Sequence, residues 1–137
     1  ELSLPDFCAT LLQRCSLAVC IVTLGERGAL AASSEGQTVY VPGFGMPVVD
    51  TCGSGDAFSA GFLHLYLQGK ALADCCRLGN ALGALVAGQP GATTPVPAAA
   101  IEELEAIGSP LGALSLNLNC PEASLKISKC ASAISIT

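Results

Sequence analysis

The spacing of apolar residues changes along this chain, and each change marks an element. After Pro5-Asp6, Phe7, Leu11 and Leu12 recur at helical spacing, which predicts a short helix over 4–14 with Asp6 near its start. Residues 17–24 form a continuous apolar run rich in branched side chains. That is the pattern of a strand covered on both faces, and it predicts a place in a parallel sheet. Short runs at 29–32 and 38–41, joined by Ser33-Ser34-Glu35-Gly36-Gln37, predict a hairpin, and 42–47 is a loop. Val48-Val49 reads as the end of another buried strand. A Gly53-Ser54-Gly55 turn follows, and Phe58, Phe62 and Leu65 then predict a helix over 54–68, broken by Gly69. An Ala-, Leu- and Gly-rich helix is expected over 72–86, an irregular loop over 88–97, and a last helix over 97–107 with Glu102, Glu103 and Glu105 on a solvated face. Residues 114–119 alternate like an edge strand, and the remainder is rich in Ser and Ala. The chain therefore divides into a folded portion over 1–107 and a divergent tail over 108–137.

The strand, turn and helix around Gly53 to Asp56 form the stretch with the most chemistry. Glycines let the chain turn sharply and leave the first amides of the helix unobstructed. Those orphan donors, at the positive end of the helix dipole, suit a phosphate or a developing oxyanion. Asp56 falls in the first turn, beside such an anion. The plainer reading also stands: Asp in a first turn is favourable on dipole grounds alone, and short glycine motifs are common loop punctuation. Thr23-x-Gly25 sits at the carboxyl end of its strand, where open α/β sheets gather ligands, although on spacing alone a plain glycine-containing turn is the better reading. Asn80 is the one amide in the small-residue helix and could cap, pack or bind. Residues 88–97 expose backbone carbonyls, which hard cations prefer. His64 reads as a packing or surface histidine. A Walker-type phosphate loop is absent, and Gly43-x-Gly45 lacks the strand–helix context of a dinucleotide fingerprint.

Composition narrows the classes. Hydrophobic residues make up 51% and charged residues 12%, which excludes a solvated disordered chain. A net charge of −5, with Arg14, Arg27, Lys70, Arg77, Lys126 and Lys129 unclustered, argues against a nucleic-acid partner. No apolar run approaches the roughly 18 residues of a membrane span, so the expectation is a soluble, cytoplasmic protein with no membrane partner. The 8 cysteines include no C-x-x-C pair and no histidine at zinc spacing. They are expected to be reduced and buried, with the adjacent Cys75-Cys76 sensitive to oxidation.

The longer string Asp50-Thr51-x-Gly53-Ser54-Gly55-Asp56-x-x-x-Ala60-Gly61-Phe62-Leu63 resembles the C-terminal signature of the PfkB (ribokinase-like) carbohydrate kinases. The order of elements from about 21 to 104 agrees with that resemblance. It implies an α/β fold, the C-terminal part of a doubly wound sandwich, with the lid and N-terminal half absent. It also implies ATP-dependent transfer of the γ-phosphate to a hydroxyl of a sugar or sugar-like substrate. In those roles Asp56 is the general base, and the amides of Gly53, Ser54 and Gly55 form the anion hole. Thr23, Gly25, Asn80 and Ala84 line the nucleotide site. Asp50, with carbonyls near Cys52, Val86, Gln89 and Gly91, matches a monovalent-cation site. The implied cofactors are ATP, Mg2+ and K+, and the implied partners are the sugar together with a second copy or a complementing N-terminal half. The alternative is a non-catalytic kinase-like fragment that acts as a binding module. An incomplete sandwich exposes apolar area, so the isolated chain is expected to be marginally folded or to aggregate.

Overall fold

The computed structural model describes residues 3–107 and 133–136, and they are organised around strand β1 (Val19–Thr23). Its Val19, Cys20, Ile21 and Val22 are at most 2% exposed. Successive side chains of a strand point to opposite faces, and the two faces of β1 are covered by different helices. Val19 and Ile21 join Phe58, Phe62, Leu72, Cys75 and Cys76 in one core, while Cys20 and Val22 join Leu4, Cys8 and Leu12 in the other. The helices are α1 (Leu4–Arg14) on one side and α2 (Ser54–Tyr66) with α3 (Leu72–Ala87) on the other, giving three layers. The apolar run at 17–24 thus is a strand buried on both faces, as its pattern predicts.

The direction of its neighbours differs from the expectation. β2 (Ala29–Ser33) and β3 (Thr38–Val41) form the predicted hairpin, and the sheet runs β3-β2-β1-β4, with β4 (Ala133–Ile136) on the far side of β1. Both partners of β1 are antiparallel, in registers that include Ile21↔Ala31 and Ile21↔Ile134. A continuous apolar run reports that both faces are covered, not which way the flanking strands run. The parallel expectation therefore does not hold among the described residues. Val48-Val49 also departs from its reading as a strand end. The two side chains are 56% and 62% exposed, and the amides of Val49 and Asp50 both donate to the Ala87 carbonyl, at 2.8 and 3.1 Å. This segment is held by the end of a helix instead of a sheet.

The helices follow local chemistry. In α1 the Ser3 hydroxyl accepts from the Asp6 amide at 3.3 Å, Pro5 occupies the first turn, and Arg14 lies at the negative end. Helices α2 and α3 approach closely through glycine. A Cβ at Gly61 would lie 2.7 Å from Leu82 Cδ1 and one at Gly79 2.9 Å from Phe58 Cδ2. Phe58, Phe62 and Tyr66 stack along α2, with ring centroids 6.2 and 5.6 Å apart. α4 (Ala98–Ile107) begins one residue later than expected. The strand expected at 114–119 lies outside the described residues. No described helix is long and apolar enough to cross a membrane. The described cysteines are all free, but Cys15 and Cys52 are exposed and depart from the expectation of burial.

Candidate functional site

The carboxyl end of β1 delivers Thr23 to a loop built for close approach. Gly25 (φ 62°) opens a single 3-10 turn, and the Leu24 amide returns to the Gly28 carbonyl at 2.7 Å. Gly28 has φ 103°, and a Cβ there would sit 2.1 Å from the Val41 carbonyl oxygen. A Cβ on Gly43 would sit 2.2 Å from the Glu26 carbonyl oxygen. The two loops after β1 and β3 therefore pack backbone to backbone, which only glycine permits. The Tyr40 hydroxyl donates to the Arg27 carbonyl and ties the hairpin to the same turn.

Opposite this wall stand the start of α2 and the small-residue face of α3. Between them is a cavity of about 360 Å3, within the range of small-molecule sites. It is bounded by Thr23, Gly25, Ser54, Gly55, Asn80 and Ala84, with Phe44 and Phe58 supplying aromatic surface. Six residues expected at the site on sequence grounds are thus brought to one cavity. Asn80 has a further task. It is 8% exposed, and its side-chain amide donates to the carbonyls of Val41 (3.1 Å) and Pro42 (3.2 Å), so it holds the glycine loop against α3.

The start of α2 is uncapped by any side chain. Its N-cap is Gly53 in the left-handed region at φ 79°, whereas α1 has a serine in that position. The Ser54 amide and hydroxyl both donate to the Thr51 carbonyl, at 3.2 and 2.9 Å. Among the described residues no acceptor takes the amides of Gly53, Gly55 or Asp56. Asp56 itself is exposed, one residue beyond Gly55, and is not on the cavity wall.

Of the expected cation ligands, Asp50, Cys52 and Gly91 meet behind the turn, while Val86 and Gln89 bond to each other at the end of α3. Asp50 accepts from the Cys52 amide at 2.9 Å and from the Gly91 amide at 3.2 Å, so its carboxylate clamps the turn to the 88–97 loop. A Cβ on Gly53 would meet the Ala92 Cβ at 2.6 Å, another sign of that close packing. The Gln89 amide donates to the Val86 carbonyl at 3.1 Å, and Gln89 Oε1 is buried with no partner among the described residues. No described group of three or more His, Cys, Asp or Glu is placed to hold a metal ion.

Sequence reading missed Glu26, Gly28, Gly43, Phe44, Met46 and Gly83 at the cavity. Their signal lies in paired close approaches between segments distant along the chain, which single-residue spacing does not carry.

Comparison with known proteins places this architecture. The model of the pfkB family of carbohydrate kinases matches residues 6–99. A sugar kinase of Archaeoglobus fulgidus is 37% identical over 91 residues, covering 64% of this chain and 36% of that protein. An adenosine kinase from Sinorhizobium meliloti superposes with a TM-score of 0.61 at 33% identity, over 74% of this chain and 31% of the other. A fructokinase from Vibrio cholerae, in a form with fructose, ADP and calcium bound, gives 0.60 at 31% identity, over 69% of this chain and 33% of the other. The chain spans about a third of the length of these relatives. The matched residues contain β1, the hairpin, the glycine turn, α2 and α3, and on that match the chain belongs to the pfkB family of carbohydrate kinases, with the ribokinase-like α/β fold.

Proposed function

We propose that this chain is the nucleotide-binding and phosphoryl-transfer portion of an ATP-dependent carbohydrate kinase, the C-terminal part of such a domain. The observation that carries the reading is the unpaired amide of Gly55 on the wall of a cavity that also holds Thr23, Gly25, Asn80 and Ala84, with the unpaired amide of Asp56 next to it along the helix start. An uncapped helix start needs an acceptor, and a phosphoryl oxygen is one. Phosphoryl transfer depends on positioning and charge stabilisation more than on covalent help, and fixed amides are donors of that kind. Gly53 and Gly55 leave the approach clear, while Ser54 acts through its side chain and amide to fix the turn on Thr51.

ATP, as its Mg2+ complex, would supply the transferable γ-phosphate. The small faces of Gly83 and Ala84 leave room for a flat ring against α3, and the Thr23–Gly28 turn closes the other side. Asp56 would take the proton of the acceptor hydroxyl, a role suited to a carboxylate next to the anion-binding amides. The acceptor class is a hydroxyl of a sugar or sugar-like molecule, in keeping with relatives named for fructose, ribose-1-phosphate and nucleosides. A monovalent cation such as K+ would be held near Asp50 by carbonyls around Cys52, Val86 and Gly91. The orphaned Gln89 Oε1 is a buried acceptor that such an ion would satisfy.

A second reading, a non-catalytic kinase-like binding module, draws support from the exposure of Asp56 and of the adjoining Val48 and Val49. One experiment separates the two. Mg-ATP at a hundred times its Kd should stabilise the chain by about 2.7 kcal/mol. Ala84→Phe, which fills the cavity, should abolish that shift, and Asp56→Asn should retain it. Loss of sugar-dependent ADP release in Asp56→Asn supports the kinase. Binding without ADP release in the unmodified chain supports the module. No nucleotide shift in the unmodified chain, or a full shift in Ala84→Phe, refutes the nucleotide site.

A further inference from the structure

Two of the described cysteines meet in the core. Cys8 lies on α1 and Cys20 on β1, 0% and 1% exposed, and their thiols are hydrogen-bonded to each other. The other buried members of that cluster are leucines, Val22 and Ala32, so each sulfur has the other as its polar neighbour among them. A small apolar side chain would fill either position; two sulfurs in contact add a chemistry that alanine and valine lack.

The contact makes the two sulfurs unequal. The hydrogen bond from Cys8 holds Cys20 below the ordinary thiol range, while the same bond, with burial added, pushes Cys8 above it. Cys20 is thus the sulfur that reacts as a thiolate, and Cys8 is a proton-bearing thiol beside it. Cys75 and Cys76 offer no such pair. They are adjacent in the chain, but successive residues of a helix do not face each other, and burial pushes both thiols up. Contact between α1 and β1, not adjacency in sequence, supplies the dithiol that can close.

We propose that Cys8 and Cys20 are an oxidation site, where hydrogen peroxide converts the pair to a disulfide that staples α1 to β1. The Cys20 thiolate attacks one peroxide oxygen, the O–O bond breaks, and a sulfenic acid forms with release of hydroxide, which takes up a proton to become water. The Cys8 sulfur then displaces the hydroxyl from Cys20, and its own proton leaves with that hydroxyl as a second water. Two thiols and one peroxide give one disulfide and two waters: the sulfurs lose two electrons and the peroxide oxygens gain them. The sulfurs, already in contact, have only to close to about 2.05 Å. Peroxide is small enough to reach them through local opening of α1. The bridge lies on the face of β1 turned away from α2 and α3, and neither cysteine lines the cavity.

The test uses the full chain with Cys15→Ser, which removes an exposed thiol and leaves the core as it is. The chain is reduced, freed of reductant and treated with hydrogen peroxide at neutral pH, and the remaining thiols are then alkylated in denaturant. Trypsin cuts after Arg14, which parts Cys8 from Cys20. The monomer band of a non-reducing gel is expected to yield the Cys8 and Cys20 peptides joined, with Cys75 and Cys76 alkylated. No joined peptides, a link from Cys8 or Cys20 to another cysteine in their place, or sulfinic acid at both positions overturns the proposal.

Stability gives a second readout. A Cys8–Cys20 bridge closes a loop of about a dozen residues and constrains the unfolded chain, so the oxidised chain should melt higher by roughly 5–10 °C. Dithiothreitol should return it to its starting value, and the added substitution Cys20→Val should abolish the rise. An oxidised chain that melts no higher, or a Cys20→Val chain that gains the same rise, overturns the staple.

Discussion

Replacing Asn80 with alanine tests whether one buried amide holds the cavity wall in place. The side chain is 8% exposed and makes two hydrogen bonds, to the carbonyls of Val41 and Pro42 at 3.1 and 3.2 Å. Each such bond is worth about 1 kcal/mol net, and a buried acceptor left dry costs about 1–3 kcal/mol. The expected loss for Asn80→Ala is therefore about 2–4 kcal/mol. Against a typical total of 5–15 kcal/mol, that is a large fraction, and it should lower Tm by roughly 8–15 °C. Asn80→Asp should be worse than alanine, because an ionised carboxylate donates nothing and would face two carbonyl oxygens. The assay is urea denaturation followed by circular dichroism, compared at equal slope. A loss below about 0.5 kcal/mol for Asn80→Ala, or an Asn80→Asp variant as stable as the unmodified chain, would refute the assignment of Asn80 as the strut between α3 and the glycine loop.

Three further outcomes follow from the same geometry. Asp50→Ala releases the clamp on Cys52 and Gly91; it should cost about 1–2 kcal/mol and speed amide exchange at Gly91, read by nuclear magnetic resonance. Gly36→Ala and Gly28→Ala both place a side chain at positive φ, but Gly36 faces open space while Gly28 meets the Val41 carbonyl at 2.1 Å. The first should cost about 1–2 kcal/mol in a thermal melt, and the second should prevent cooperative folding. Brief alkylation at neutral pH should label Cys15 and Cys52 well ahead of Cys8, Cys20, Cys75 and Cys76. Burial pushes the Cys76 thiol up to about 12, so raising the pH to 9 should leave it unlabelled in peptide mapping.

The strand–turn–helix stretch was legible because it is local. Asp50, the glycine turn, Asp56 and the apolar spacing of Phe58 and Phe62 lie within a dozen residues, and strand–turn–helix chemistry follows from residue type and order. Thr23, Gly25, Asn80 and Ala84 converge on the same cavity because β1 and α3 pack on opposite sides of it. The finer chemistry was less legible. The family string marks Ser54 as an anion donor, but its amide turns back to Thr51, and Asn80 has its side-chain amide committed to two backbone carbonyls. Both outcomes depend on where a carbonyl happens to point, which no residue type encodes.

The largest departure, the antiparallel surroundings of β1, has a different origin. The apolar run records that water is excluded from both faces, and the two cores bear this out through residues of opposite parity, Val19 with Ile21 and Cys20 with Val22. Hydrogen-bonding edges leave no such mark, since every residue but proline presents the same amide and carbonyl whatever the direction of its neighbour. The same run of residues is therefore compatible with a parallel strand, an antiparallel one or a strand from another chain. Here the described residues give it an antiparallel partner on each side, Ala29–Ser33 and Ala133–Ile136, a direction that only the backbone registers and not the side chains of β1 record.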